Sequence, residues 1–437
     1  MLAVPFFVSF SILSGTAAAS GFALILQSGS GLGNAYAGGA AAAEDASTLF
    51  FNPAGMSRLH GKQLVFAGHL IGVTSQFANT GSVNATGQAL GVVPDGGRKL
   101  SWIPNGYFAT EISPKLHFGI GVNTPFGSAS EYRPDWMGRF QAIKSKIETV
   151  NLNPSIAYQV NDGVAVGAGL NYQRINAELG SAVNWSALAG GALGVNVEGI
   201  TTVSGNDSAW GCNLGALFNV SPQTRAGLAY RSAIKYNLRG SIAFANRPTV
   251  GSAPVRAALA AAAPDGAVNL AITVPDTFSA SIFHRLDDKW DIMADITRTG
   301  WSVFDQLKVV RASGATLSLT PENWKNTWRV AVGANHHYNE RWTARVGLAY
   351  DQSPVPDAFR TARLPDGDRT WLSLGGQYKL GKGSVLDLGY AHLFIKGSSI
   401  DRNKGGVNVA STALYAQLAG SYDLKADIMS VQYSYGF

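Results

Sequence analysis

The sequence predicts an all-β fold: a transmembrane antiparallel β-barrel of about fourteen strands with an N-terminal plug, or hatch, inside its lumen. Three observations predict it. Charged residues make up only 14% of the chain, against nearer ~25% in soluble domains, so much of the surface faces something other than water. Past the first twenty residues no apolar run approaches the ~20 residues that a membrane helix needs. A membrane chain without such helices satisfies its backbone only by closing into a barrel. From Lys62 onward, period-two segments alternate with short turns.

Residues 1–19 read as a secretory signal peptide. An apolar run from Val4 to Leu13 precedes small residues, with Ala17 and Ala19 in A-x-A placement. No Lys or Arg stands before Arg58, so the positive leading segment of such signals is missing. A misplaced start codon or a weak signal would explain this; the run is short for the competing reading, a membrane anchor. Cleavage after Ala19 would leave Ser20, Gly21 and Phe22 at the mature N-terminus.

Residues 20–61 form the plug. From Gly21 to Leu59 there is no strand alternation and no long helical stripe, and Gly and Ala crowd the segment. Small residues let backbone pack on backbone, so this stretch is built to sit inside something. The competing reading is a flexible linker. Leu24, Ile25, Leu26, Leu49, Phe50 and Phe51 oppose it, since a solvated linker would not carry them. Gly29, Gly31 and Gly33 do not complete a dinucleotide fingerprint, and no P-loop lysine follows.

Residues 62–437 form the wall. Leu152, Ile156, Tyr158 and Val160 share one face of a strand, with Asn153, Ser155, Ala157 and Gln159 on the other. After the turn Asn161-Asp162-Gly163, Val164, Val166, Leu170 and Tyr172 continue the apolar face. The apolar face suits lipid and the small or polar face suits a lumen. Six short turns lie near residues 114, 162, 222, 288, 340 and 382. Seven longer connections separate them: Ala78–Ser101, Thr124–Ser145, Leu179–Asp207, Ala243–Pro275, Ser302–Lys325, Pro354–Arg369 and Gly397–Leu424. Six turns and seven loops require about fourteen strands, an even number with both ends on the short-turn side. Tyr158, Trp290, Tyr338, Trp342 and Tyr378 gather where strands meet the turns, as an interfacial girdle does. Met429, Val431, Tyr433, Tyr435 and the terminal Phe437 share one face of the last strand, like the closing strand of bacterial outer-membrane proteins. The single Cys212 excludes an intramolecular disulfide.

These residues carry a resemblance. S-G-L-G-N-A-Y-A-G at Ser30–Gly38 and N-P-A-G at Asn52–Gly55 resemble the plug of the FadL/TodX (OMPP1) family of outer-membrane transporters for hydrophobic compounds. N-T-P-F-G at Asn123–Gly127 is similar to the end of that family's third strand. Asn153–Asp162, Gly227–Ser232 and Pro365–Trp371 follow family patterns in the same order. The resemblance covers Gly21 to Phe437. It implies a monomeric barrel of the bacterial outer membrane, closed on the periplasmic side by the hatch. It implies passive uptake of long-chain fatty acids or aromatic or aliphatic hydrocarbons. The ligand would first meet an apolar groove between the third and fourth outer loops, then a deeper pocket beside the hatch, and leave sideways through the wall.

Candidate sites follow. The third and fourth loops carry Trp185, Leu188, Leu193, Val195 and Leu259; loops this apolar either bind a ligand or pack on each other. Pro125 cannot donate a ladder bond and Gly127 weakens pairing, so Asn123, Pro125, Phe126 and Gly127 mark either a lateral opening or a strand that ends there. Ser20, Gly21 and Phe22, with Asn52, Pro53 and Ala54, are hatch or gate residues. Arg231, Arg329 and Arg345 share faces with small residues and point inward. They would meet a carboxylate head group, or pair with Asp291, Asp295 or Asp351. Adjacent His336 and His337 face opposite ways and make no metal site. The sequence calls for no cofactor, metal or catalytic residue. Its partners are hydrophobic small molecules, outer-membrane lipid and lipopolysaccharide, and not nucleic acid. A general diffusion porin and an outer-membrane barrel enzyme are the alternatives.

Overall fold

A computed structural model describes residues 20–91, 96–403 and 414–437; the signal reading falls outside them. The wall is a closed antiparallel barrel of fourteen strands, six of them interrupted. The strand segments are β1 (Lys62–Asn79), β2 (Gly96–Ser113), β3 (Leu116–Asn123), β4 (Gly127–Glu131), β5 (Lys144–Asn161), β6 (Val164–Asn184), β7 (Glu198–Asn219), β8 (Thr224–Arg231), β9 (Ile234–Ala245) and β10 (Gly266–Val274). They continue as β11 (Thr277–Arg285), β12 (Trp290–Thr299), β13 (Gln306–Arg311), β14 (Thr316–Pro321), β15 (Thr327–His337), β16 (Trp342–Asp351), β17 (Arg369–Gly381), β18 (Ser384–Ile395), β19 (Ser398–Asn403) and β20 (Gln417–Gly436). β3 with β4 makes the third wall strand; β8 with β9, β10 with β11, β12 with β13, β14 with β15, and β18 with β19 make the others that break. Closure runs from Gln63↔Gly436 to Asn79↔Gly420 between β1 and β20. The Lys62 amide also donates to the Phe437 carbonyl at 3.0 Å.

Alternation places side chains as read. Ile156, Tyr158, Val166, Leu170, Met429 and Phe437 are exposed outward, while Asn153, Ser155, Asn171 and Gln432 are buried in the lumen. The six short turns all lie at one end. The long connections are shorter than the sequence indicates. β6 and β7 reduce the third to residues 185–197, β10 occupies part of the fourth, the hairpin β13–β14 fills most of the fifth, and β19 stands inside the seventh. Above the lipid, outward residues such as Ser204, Asn206 and Ser208 are polar and exposed. The ladder continues there while the apolar signal stops.

The segment from Ser20 to Leu59 folds into three single-turn helices and a 3-10 turn at Pro53–Arg58. It touches the wall all the way round. A Cβ on Gly33 would come 2.8 Å from Gly375 Cα, and one on Gly38 would come 2.8 Å from Met293 Cβ. A Cβ on wall residues Gly227 or Gly347 would collide with the hatch backbone at Ala40 or Asn34. The small residues on both sides therefore let two backbones meet.

Candidate functional site

Two cavities lie one above the other in the lumen. The lower has an empty volume of about 1040 Å³ and is walled by hatch residues Leu24, Ile25, Phe50 and Phe51, by Pro125 and Phe126 at the third-strand break, and by Arg231 and Arg329. The upper has an empty volume of about 540 Å³, with Ile147, Leu179, Leu270 and Ile272 on its sides and Arg363 with Thr361 at one end.

Phe22 stands where the cavities meet. Its ring lies edge-on to Trp301 at 4.7 Å, to Phe304 at 5.5 Å and to Phe126 at 6.0 Å, with Trp324 at 5.6 Å. Aromatic pairs in such geometry contribute beyond their buried area. Gly21 beside it has φ +59°, and a Cβ there would come 2.8 Å from the Trp301 and Trp324 rings. Its amide donates to Asp366 Oδ2 at 3.0 Å, and Ser20 Oγ donates to the Gln352 carbonyl at 2.5 Å. The loop between β16 and β17 thus grips the start of the hatch. The same loop reaches across to β5 and β6, where Arg363 Nη1 donates to the Lys144 carbonyl at 3.1 Å and to Ser145 Oγ at 2.8 Å.

The wall is open at the third strand. β2 pairs with β3 only from Gly106↔Val122 down to the turn. Above that level β2 pairs with β1 alone and β4 with β5 alone. Residues 124–126 turn inward and meet the hatch. The Leu24 amide donates to the Pro125 carbonyl and the Gly127 amide to the Phe22 carbonyl, each at 2.8 Å. Asn123 is buried beside Asn151, which donates to its Oδ1 at 3.1 Å.

The arginines hold the hatch. Arg231 stacks on the Phe50 ring at 4.2 Å and donates to the Phe50 carbonyl at 2.9 Å. Arg329 donates from Nη2 to the Ala35 carbonyl at 2.6 Å, while its Nε and Nη1 have no partner among the described residues. Arg345 lies away from the lower cavity: it pairs with Glu44 at 2.9 Å and Asp387 at 3.2 Å and donates to the Ser30 carbonyl at 2.6 Å. Asp291, one of the expected partners, instead meets His337 at 2.7 Å and Arg285 at 3.6 Å. Asn52 Nδ2 donates to the Ala40 and Ala216 carbonyls, and its Oδ1 caps the Ala54 amide, so the turn opened by Pro53 is fixed to the wall.

The outer-loop residues divide. Trp185 and Leu259 are buried against Val183 and Ala263, with Leu193 packed alongside. Leu188 and Val195 are exposed. One further cluster has the form of a nucleophile with a base: Ser430 Oγ lies 2.5 Å from His69 Nδ1, and Asn105 Nδ2 lies 3.0 Å from His69 Nε2. All three are buried, and Asn105 also donates to the hatch carbonyl of Leu26 at 2.8 Å. It joins three wall strands, β1, β2 and β20, and the plug. Arg363 and Trp324 stand in segments read as outer loops and Trp301 just before one, so none of the three was marked as a site residue.

Residues 10–437 match the family described as outer membrane protein transport protein (OMPP1/FadL/TodX). The long-chain fatty acid transport protein of Escherichia coli (strain K12) is 30% identical over 425 residues, covering 91% of this chain and 92% of that protein. The crystal structure of a Pseudomonas aeruginosa FadL homologue superposes with a TM-score of 0.85 at 25% identity, over 95% of this chain and 99% of that one. The Ralstonia pickettii toluene transporter TbuX shares the fold with a TM-score of 0.65 at 20% identity, over 95% and 100%. Barrel, hatch and match agree: the chain belongs to the OMPP1/FadL/TodX family of outer-membrane transport proteins.

Proposed function

We propose that the protein takes up long-chain fatty acids passively and releases them sideways into the membrane. The observation that carries this reading is the pair of stacked cavities with a guanidinium at each, Arg363 above and Arg329 below, among mostly apolar side chains, with Glu322 the one acid lining the upper cavity and Asp295 and Asp351 those lining the lower. A hydrocarbon needs no cation, whereas a carboxylate makes charge-assisted hydrogen bonds to one. Burial pushes the Arg363 guanidinium down to about 10, so it stays charged at neutral pH. The alkyl chain lies along Leu270 and Ile272 in the upper cavity. Displacement of Phe22 joins this space to the lower cavity. From there the inward turn at Pro125–Gly127 leads to the gap between β2 and β4. An apolar chain gains nothing by entering aqueous periplasm, and passing into the bilayer preserves its burial. Arg231, Arg329 and Arg345 on hatch carbonyls, with Arg225 on those of Ala41 and Ala42, favour a plug that stays docked. The protein has no catalytic part in this route.

The test is uptake by cells lacking their own carrier. Radiolabelled oleate should enter at a rate that depends on the protein, and hexadecane of similar length at less than a tenth of it. Equal rates for the two would assign a hydrocarbon channel. Swelling of protein-containing liposomes in small sugars would assign a porin.

A further inference from the structure

The outside of the barrel carries a one-sided band of charge that uptake does not use. Tyr172 and Trp210 are exposed, and their rings meet at 5.0 Å. They stand at the end of the wall opposite the short turns, with exposed Leu170 and Leu214 beneath them. That places the pair at the outer interface. Beyond it, four exposed cations face outward: Arg174 on β6, Lys235 and Arg239 on β9, and Lys308 on β13. None of the four makes an ion pair among the described residues.

The ladder sets them side by side. Arg174 Nη2 reaches Asn206 Oδ1 at 3.4 Å. Asn206 pairs directly with Arg239, and Arg239 with Asn269. Lys308 precedes Val309, the partner of Leu270. Two acids stand near, and both are engaged. Glu178 meets Lys144 Nζ at 2.9 Å, and Asp207 accepts the Asn237 and Ser208 amides at 2.7 and 2.8 Å. Across the barrel the signs are mixed: on β20, Asp423 and Lys425 pair at 3.8 Å, and Asp427 accepts from Tyr390 at 2.8 Å.

We propose that this band, over β6, β7, β9, β10 and β13, is a binding site for the phosphorylated head group of lipopolysaccharide. Cations beside a membrane interface attract anionic lipid heads. The width selects among them. Arg174 and Lys308 are four strand spacings apart, roughly 19 Å. One phospholipid phosphate meets one end of that span. A glycolipid with phosphates at separate sugars meets both. Asn206, Asn237 and Asn269 between the cations offer hydrogen bonds to sugar hydroxyls, and the exposed leucines below receive the acyl chains. This site stands independently of which compound the lumen carries.

The test uses the full chain in nanodiscs containing lipid A, fully dephosphorylated lipid A or phosphatidylglycerol, followed by native mass spectrometry. The wild type should retain lipid A through detergent exchange. The variant R174Q/K235Q/R239Q/K308Q should retain at least tenfold less, and the wild type should lose dephosphorylated lipid A to the same degree. A matched variant at the turn end, K289Q/R341Q/K379Q/K382Q, should behave as wild type. Heat-modifiable gel mobility reports folding, and R174Q/R239Q, expected to give a partial loss, serves if the quadruple variant does not fold. Retention unchanged in the folded variant, or equal retention of dephosphorylated lipid A or phosphatidylglycerol by the wild type, overturns the proposal.

Discussion

The amide of Gly127 donates to the carbonyl of Phe22 at 2.8 Å, so the plug's first residues complete pairing that the third wall strand lacks. Ala23 and Phe126 form an antiparallel bridge beside it. The aromatic cluster between the cavities and the inward turn at the wall opening are therefore one hydrogen-bonded unit. A shift of Phe22 moves the lip of the opening with it, while the rest of the plug stays on its arginines.

This coupling yields the first prediction. A Cβ on Gly127 would come 3.0 Å from Leu24 Cδ1, so Gly127→Trp fills the passage between plug and wall. Oleate uptake should fall at least tenfold with the barrel still folded by heat-modifiable mobility. A disulfide joining cysteines at Ala40 and Ser281, where the Ala40 amide donates to the Ser281 hydroxyl at 3.1 Å, should leave uptake within twofold of wild type. If the crosslink stops transport and Gly127→Trp does not, the ligand goes down through the plug.

Phe22 gives the second. Removing a buried aromatic ring costs about 3–5 kcal/mol of local packing. That loss falls on the docking of the plug's first residues and not on the wall ladder. Phe22→Ala should merge the two cavities, raise single-channel conductance in planar bilayers and lower oleate affinity several-fold. Conductance and affinity both at wild-type values would mean that the ring does not divide the path.

Arg363 gives the third. Its Nη1 is held by Lys144 and Ser145 on β5 and, at 3.5 Å, by the Gly180 carbonyl on β6, while the side chain borders the upper cavity. Arg363→Gln keeps polar contacts and removes the charge. A charge-assisted hydrogen bond contributes about 1.5–3 kcal/mol, so oleate should bind roughly tenfold to a hundredfold more weakly, with the neutral alcohol of equal length little changed. Calorimetric titration of both ligands in detergent separates the two. An equal loss for acid and alcohol would show a structural role.

Much of the barrel was legible because lipid enforces a simple rule. Outward positions such as Ile156 and Leu170 must be apolar, and lumen positions such as Asn153 and Asn171 need not be. Turn spacing then fixed strand number and polarity. Alternation gives a face and no depth, so Arg345 was grouped with Arg231 and Arg329 although it lies beside Glu44 below the plug. The six breaks in the wall follow from long-range pairing, which period-two reading does not see. Trp301 and Trp324 lie just outside strand segments, and their inward aim is set by Phe22, nearly 300 residues away. Pro125 and Gly127 mark the break in the third strand; the partner of Gly127, the Phe22 carbonyl, left no local mark.

The outer loops give the fourth prediction. Trp185, Leu193 and Leu259 pack against one another, whereas Leu188 is exposed. A groove and a packed loop pair respond differently to charge at these two kinds of position. Leu259→Asp buries a carboxylate in an apolar cluster, which is costly wherever no partner exists. It should loosen both loops, raising their proteolytic cleavage several-fold whether or not ligand binds there. Leu188→Asp costs little, because the side chain already meets solvent. It reports on ligand alone. If the loops make first contact with the fatty acid, Leu188→Asp should reduce oleate uptake about threefold at low concentration and not at saturation, with cleavage unchanged. Uptake at the wild-type rate in Leu188→Asp would leave the loops as a packed cover and place first contact in the upper cavity.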